Sequence, residues 1–268
     1  MARPNLSYLK NLSLFVVGLP CGLLTGLTAI GSSVVLLPLT RWLLGLRPAR
    51  ASGTALAATF FAALAGLLSY QQQGDIRWGL AFLLVAGQLI GAAWGLRVAT
   101  GFPALARLRW LWAALVIVTG LTMIYVSRSA GAHGAFLFVP PGAAFYAWAF
   151  GVAILVGLIS RVIELGGVLL VPAAIFLLGL PPHQAQGTAL VVLLLASLPG
   201  MLIYAQRGEM DGRAATWLSL GGVIGALIGA YYAVRLPEPL LAALFGVALT
   251  LLGLGMFQRS EPVAEKQE

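Results

Sequence analysis

Two groups of small and polar residues, set in apolar surroundings, have the types and spacing to hold an anion: Gly31-Ser32-Ser33 and Gly166-Gly167. Glycine lets a backbone approach a ligand closely, and serine adds hydroxyl donors. The first N–H groups of a helix have no intrahelical partner and carry the positive end of its dipole. Further along stand Ser52 with Thr54 and Gln186 with Thr188, each pair opening an apolar segment, where a side chain can cap the helix, bind a ligand, or do both. Arg161 and Glu164 are three residues apart and can form a structural bridge on one helical face. As intramembrane charges they have a second reading, with Glu164 carrying a proton for coupling and Arg161 attracting an anionic substrate. Pro38 and Pro172 are expected as structural helix breaks.

These residues belong to two copies of one stretch. Sliding the chain by half its length lays Pro38 on Pro172, Gly45 on Gly179 and Gly53-Thr54-Ala55-Leu56 on Gly187-Thr188-Ala189-Leu190. Of the 70 positions from Val34 to Pro103, 29 are identical in the copy, and many are Gly or Pro, which fix backbone shape. The chain is a tandem duplication, with a first repeat in residues 1–130 and a second in 131–268, the latter ending in a short cytoplasmic tail. Small residues also permit close helix packing. That is the reading for Gly87, Gly91 and Gly95 and for Gly221, Gly225 and Gly229, whereas the paired Gly/Ser turns are read as a binding site.

With 60% hydrophobic and 9% charged residues in 268, and a mean hydropathy of +0.96, the chain has too much apolar surface to bury in a soluble globule, and is an integral membrane protein. The net charge of +8 sits in short gaps between apolar runs, so it reports orientation and not a nucleic-acid partner. A single cysteine, Cys21, excludes an intramolecular disulfide and a multi-cysteine metal site. His133, in the linker between halves, has no companion at metal-ligand spacing. No P-loop, zinc motif or nucleophile elbow occurs, so no cofactor and no enzymatic activity are expected. Arg3 and Lys10 ahead of an apolar run look like a signal peptide, but the run belongs to the duplication and is expected to be retained.

The elements that must position the turns are ten apolar segments, near residues 12–30, 33–46, 54–72, 78–99, 105–126, 136–160, 166–180, 187–206, 214–234 and 238–257. Eight are full-length and two are short, the second of each half. If the first two segments of each half go in and come back, twelve basic residues collect on one side against three on the other. A single crossing by residues 12–46 gives eight against six and strands Arg41 and Arg161 in the membrane. The first path obeys the positive-inside rule. Five segments per half with an odd number of crossings then make the second half insert upside down. The expected fold is all-α, two inverted repeats of five segments with both termini cytoplasmic, an architecture that places a binding site near the midplane where short helices meet.

Two copies of a Gly-rich turn, an apolar stretch, a Pro, a Gly and an Ala-x-Gly-Thr step resemble the TauE/SafE-type sulfite exporter family. Here they run from Gly31-Ser32-Ser33 through Pro38 and Gly45 to Ala51-Ser52-Gly53-Thr54, and from Gly166-Gly167 through Pro172 and Gly179 to Ala185-Gln186-Gly187-Thr188. The resemblance implies transport of a small sulfur-containing or organic anion, such as sulfite, a sulfonate or a related carboxylate, across the bacterial inner membrane; proton or ion coupling is a partner reading left open beside it. The chain departs from the pattern at Ser32-Ser33, where the family tends to have glycines, and in having only two glycines after Glu164. A passive anion channel and a non-transporting scaffold are the alternatives. Small-residue helix faces would serve a homodimer as well as packing within one protomer.

Overall fold

The computed structural model describes residues 6–101, 109–128, 140–162 and 167–258. Among them are ten helices: α1 (Leu6–Thr28), α2 (Ser33–Leu44), α3 (Pro48–Gln73), α4 (Trp78–Gly101), α5 (Arg109–Arg128), α6 (Ala143–Val162), α7 (Leu170–Phe176), α8 (Pro182–Gln206), α9 (Gly212–Ala233) and α10 (Glu238–Gln258). Eight are long and apolar enough to cross a membrane. The other two, α2 with 12 residues and α7 with 7, reach only about 18 Å and about 10 Å, short of a hydrocarbon core of about 30 Å. Large apolar side chains such as Phe82, Trp94, Val118 and Leu251 are more than half exposed. Such a surface is stable facing lipid and not water.

Both long helices that follow the short ones begin earlier than expected. α3 starts at Pro48 and α8 at Pro182, each with proline at a first-turn position where its missing N–H is not needed. Thr54 and Thr188 therefore lie inside their helices and cap neither, which corrects the capping expectation. The chain leaves α2 through Gly45 and α3 through Gly74, both in the left-handed region, and their equivalents Gly179 and Gly208 do the same. The expected segment at 166–180 is helical only over Leu170–Phe176, with turns on either side. His133, Glu164 and Gly166 lie outside the described residues.

Glycines set the packing. A Cβ on Gly18, Gly22 or Gly26 of α1 would strike the backbone at Leu218, Gly222 and Ala226 of α9, and one on Gly221, Gly225 or Gly229 would strike Phe15, Leu19 and Leu23 in return. These pairs rise together, so α1 and α9 run parallel with their backbones in contact. Gly87, Gly91 and Gly95 of α4 meet Phe150, Ile154 and Leu158 of α6 in the same parallel sense. Both small-residue faces are thus consumed within one protomer, and each joins one half to the other.

α3 and α8 form the centre and run antiparallel: Gly53 lies against Tyr204, Leu56 against Gly200, Gly66 against Leu190, and Tyr70 against Gln186. α1 runs parallel to α3, because Gly222 faces both Gly18 and Ala62, while Gly26 lies deeper beside Gly66 and Tyr70. Two consecutive long helices can point the same way only if the chain between them returns. Residues 29–47, with α2, make that return, so residues 12–46 do not cross once.

Candidate functional site at the two turns

The first turn begins where α1 ends. Thr25 and Thr28 donate their hydroxyls to the carbonyls of Cys21 (3.0 Å) and Leu24 (2.6 Å), and the Ile30 N–H donates to Thr28 Oγ1 at 3.3 Å. Ala29 then takes a φ of 53°, left-handed for a residue with a side chain, and reverses the chain. Gly31 follows in a gap with no room for a Cβ, which would come 2.9 Å from Leu193 Cδ1 of α8 and 3.5 Å from Thr59 Cγ2 of α3. The turn is wedged between the two central helices.

Thr59 organises the polar groups there. Its Oγ1 accepts the Ser33 N–H at 2.8 Å, lies 2.9 Å from Ser32 Oγ, and donates to the Ala55 carbonyl at 2.9 Å. With the Thr59 proton directed at Ala55, Ser32 is the donor of the pair. Thr59 is eleven residues into the 26-residue α3, so the turn sits about 16 Å from one end of a helix about 39 Å long, near mid-membrane. At that depth the N–H groups of Gly31 and Ser32 and the half-buried Ser33 hydroxyl have no partner among the described residues. Three donors on successive residues thus lie where water is scarce, beside the positive end of the α2 dipole. α2 continues through Pro38 to Leu44, while Pro172 lies in the first turn of α7.

The second turn is built from other residues. Gly167 leaves room for the Gln88 amide of α4, whose Nε2 lies 3.4 Å from where a Gly167 Cβ would be. Gln88 Oε1 and Ser160 Oγ, both buried, have no hydrogen-bond partner among the described residues. Neither residue has a polar equivalent in the other copy, where Gly222 and Gly26 stand, just as Thr59 is replaced by Leu193. Arg161 is exposed at the end of α6.

The remaining expected residues are distributed differently. Thr54 Oγ1 accepts the Asp211 N–H at 3.1 Å and Thr188 Oγ1 the Arg77 N–H at 3.4 Å. Each Gly-Thr step thus tethers the loop of the opposite half, and Gly53 and Gly187 make room for it at Glu209 and Asp75. Ser52 bonds back to the Pro48 carbonyl at 3.0 Å. Its counterpart Gln186 is fully buried and accepts from Tyr70 Oη at 2.7 Å, leaving Nε2 without a partner among the described residues. Thr59, Tyr70, Gln88 and Ser160 were not singled out by sequence: Thr59 and Gln88 are lone polar residues in apolar runs, and Tyr70 and Ser160 stand beside the polar ends of their helices. Comparing the two copies would have exposed three of them, since polarity there is not repeated; Tyr70 matches Tyr204.

On the Arg77 side a cavity of about 410 Å³ opens between Arg77, the start of α6 and residues Leu178–Leu180. It lies at loop depth, above the turns. Arg77 is held there by its N–H on Thr188 and its Nε on Gln184 Oε1 at 3.0 Å. Nearby, His183 Nδ1 stands 3.7 Å from Glu238 Oε1. Partial burial pushes the Asp75 carboxyl above its ordinary value; His183 opposes this shift and Glu238 adds to it. Among the described residues no group of three or more His, Cys, Asp or Glu could hold a metal ion.

A family model described as "Sulfite exporter TauE/SafE" matches residues 2–123 and residues 106–256. A "Probable membrane transporter protein" of Xylella fastidiosa (strain 9a5c) is 28% identical over 252 residues, covering 91% of this chain and 92% of its own. "Probable membrane transporter protein YjnA" of Bacillus subtilis (strain 168) is 27% identical over 241 residues, covering 86% and 93%. A shorter likeness, 31% over 108 residues and 40% of this chain, joins it to "Probable membrane transporter protein ORF9" of Sinorhizobium sp, of which it covers 41%. No solved structure gives a significant match.

Proposed function

Because the chain belongs to the sulfite exporter TauE/SafE family of membrane transporters, we propose that it is a secondary transporter carrying a small sulfur-containing or organic oxyanion through a site at its two turns. The observation that carries this reading is the first turn, where the Gly31 and Ser32 N–H groups and the Ser33 hydroxyl have no partner among the described residues near mid-membrane. Unpaired donors at that depth are unfavourable unless a ligand or water answers them. In this reading Gly166 and Gly167 supply the second turn, Gln186 offers an amide N–H from α8, and Ser52, Thr54 and Thr188 add hydroxyls on the helices that frame the turns. Arg161 and Glu164 are the candidates for charge coupling.

In this reading the halves are inverted repeats that rock about the turns, both termini are cytoplasmic, and the membrane is the bacterial inner membrane. Supporting the inversion, α3 and its copy α8 run antiparallel. Supporting the orientation, the return path of residues 29–47 is the one that gathers twelve basic residues on one side.

The test is ligand-induced thermal stabilisation of the purified protein with sulfite, thiosulfate, sulfate, sulfoacetate, taurine and simple carboxylates. A ligand at a hundred times its dissociation constant stabilises by about 2.7 kcal/mol. One oxyanion is expected to raise Tm, with the shift lost in Ser33→Leu and Gln186→Leu, and to show saturable flux in proteoliposomes. No shift with any anion, together with flux that never saturates, would replace the carrier by a channel.

A further inference from the structure

Arg77 stands where a cation is out of place. It directly precedes α4, and its carbonyl accepts the Ala81 N–H at 2.8 Å. The first N–H groups of a helix carry positive partial charge, so a cation is unfavourable there, and a guanidinium has no acceptor with which to cap them. The other copy shows what the position needs. Asp211, the equivalent residue, also sends its backbone N–H to a threonine, and its carboxylate accepts the Ala214 N–H at 2.9 Å, capping α9. Arg77 makes the same backbone tether, to Thr188, without the cap. Its Nε donates to Gln184 Oε1 at 3.0 Å, and among the described residues it forms no ion pair.

The side chain borders a cavity of about 410 Å³. The other walls, among the described residues, are the start of α6, with Pro141, Phe145 and Tyr146, and the exit from α7, with Leu178 and Leu180. Proline has no N–H to offer, and the remaining side chains are apolar except for the Tyr146 hydroxyl. The α7 wall is fixed: Trp148 Nε1 donates to the Leu177 carbonyl at 2.8 Å, and the Leu180 N–H to that of Ala174 at 3.0 Å. Through α7, about 10 Å long, the same wall leads to the Gly167 turn. In the proposed orientation this face has three basic residues against twelve on the other. One of the three, Arg235, is taken up by the Tyr231 carbonyl at 2.7 Å and the Tyr231 ring, 3.5 Å from its centroid.

We infer that Arg77 and this cavity bind an anion with a short apolar body and so collect substrate on that face before it reaches the turns. A sulfonate or carboxylate head meets the guanidinium, and the carbon chain lies against Phe145, Leu178 and Leu180. The guanidinium fork suits either head through two parallel N–H···O bonds. Sulfite and sulfate have the head but nothing to lay on the apolar wall. Binding stands on the cavity itself; the collecting role rests on the transport reading above. Anionic lipid offers the same chemistry, a charged head on an apolar chain, and the experiment separates the two sources.

The full chain is reconstituted in phosphatidylcholine vesicles, and flux of radiolabelled ethanesulfonate, propanoate and sulfite is measured. Binding of each is measured on the purified protein and on Ser33→Leu, in which the cavity remains and the serine turn is blocked, beside the Tm of each ligand-free variant. Binding of the two organic anions is expected to survive Ser33→Leu and to weaken as salt rises. Arg77→Gln and Arg77→Asp should weaken it about tenfold or more, the loss expected for hydrogen bonds to a charged group, and raise the flux KM by a similar factor with kcat little changed. Arg77→Lys keeps the charge without the fork and should fall between. Ligand-free Tm should hold in Arg77→Gln and rise in Arg77→Asp, which gives α4 the cap that Asp211 gives α9. An arginine with only a structural role would lower Tm and would not distinguish one anion from another. Folded Arg77 variants with unaltered binding and KM would overturn the inference and leave transport standing. An arginine dependence seen only after phosphatidylglycerol is added to the vesicles would overturn it too, assigning Arg77 to a lipid headgroup. Equal losses for sulfite and the organic anions would overturn the role of the apolar wall. If no anion shows saturable flux while binding still depends on Arg77, the cavity stands as a site and the transport reading is what fails.

Discussion

At the residue scale, Thr59 is where the first turn is decided. It alone accepts the Ser33 N–H and the Ser32 hydroxyl, so Thr59→Val leaves a buried donor unanswered without changing side-chain shape. A loss of about 1–3 kcal/mol is expected, read as a lower Tm, with oxyanion binding weakened in the same variant. An unchanged Tm would mean that water takes over both bonds. Asp75 gives a prediction with a sign. Its carboxyl is held above the ordinary value chiefly by burial, so it favours the folded state below its unfolded pKa, and that contribution is lost as pH rises through the folded pKa. Asp75→Asn should therefore raise Tm at neutral pH, with a gain that shrinks towards pH 4. Thermal unfolding of both proteins from pH 4 to 8 measures it, and a gain that grows on acidification would show that the carboxylate is stabilised and not strained.

At the scale of helices, the two parallel seams hold the halves together through glycine. A side chain at Gly22 would meet the backbone of Gly222, and one at Gly225 that of Leu19. Because backbone cannot yield as a flexible side chain can, α1 and α9 would have to separate along their length. Gly22→Val is expected to destabilise by about 3 kcal/mol or more and to sharply reduce the yield of monodisperse protein in detergent. Gly151 of α6 has open space where its Cβ would be, and Gly151→Ala should be neutral or stabilising by about 0.5–1 kcal/mol through helix propensity. Size-exclusion profiles and Tm values of the pair test whether close approach, and not glycine itself, is what the seam needs. The short helices obey another constraint. Neither can span the bilayer, so each must end in a turn inside it, and that turn is where unpaired backbone groups gather.

At the scale of the molecule, the matched contacts of the two copies are the organising fact. Thr54 holds Asp211 as Thr188 holds Arg77, and these four positions are exchanged by the same shift that aligns the sequences. Gln72 and Gln206 are equivalent by that shift and exposed at the ends of α3 and α8. With Cys21 replaced, single cysteines at Gln72 and Gln206 are expected to react with a membrane-impermeant maleimide from opposite faces of intact cells and inverted vesicles. Labelling from one face only would refute the inverted arrangement.

Sequence alone determined the membrane environment, the duplication, the number of segments and the two turns. Each is a property of composition or of spacing along the chain: long apolar runs cannot be hidden in a small globule, and repeated glycines and prolines mark repeated backbone shape. The helix starts were less legible, because proline at N1 looks like an interruption until its helix is seen. Only the tertiary structure decided which polar groups face which. Thr54 and Thr188, which by sequence could cap their helices or bind a ligand, hold loops of the opposite half. Thr59 and Gln88, isolated in apolar stretches, proved to stand at the turns. Membrane helices pack through small residues and backbone contact, so the partner of a buried polar side chain is fixed by the crossing of helices far apart in sequence. No local pattern encodes that crossing.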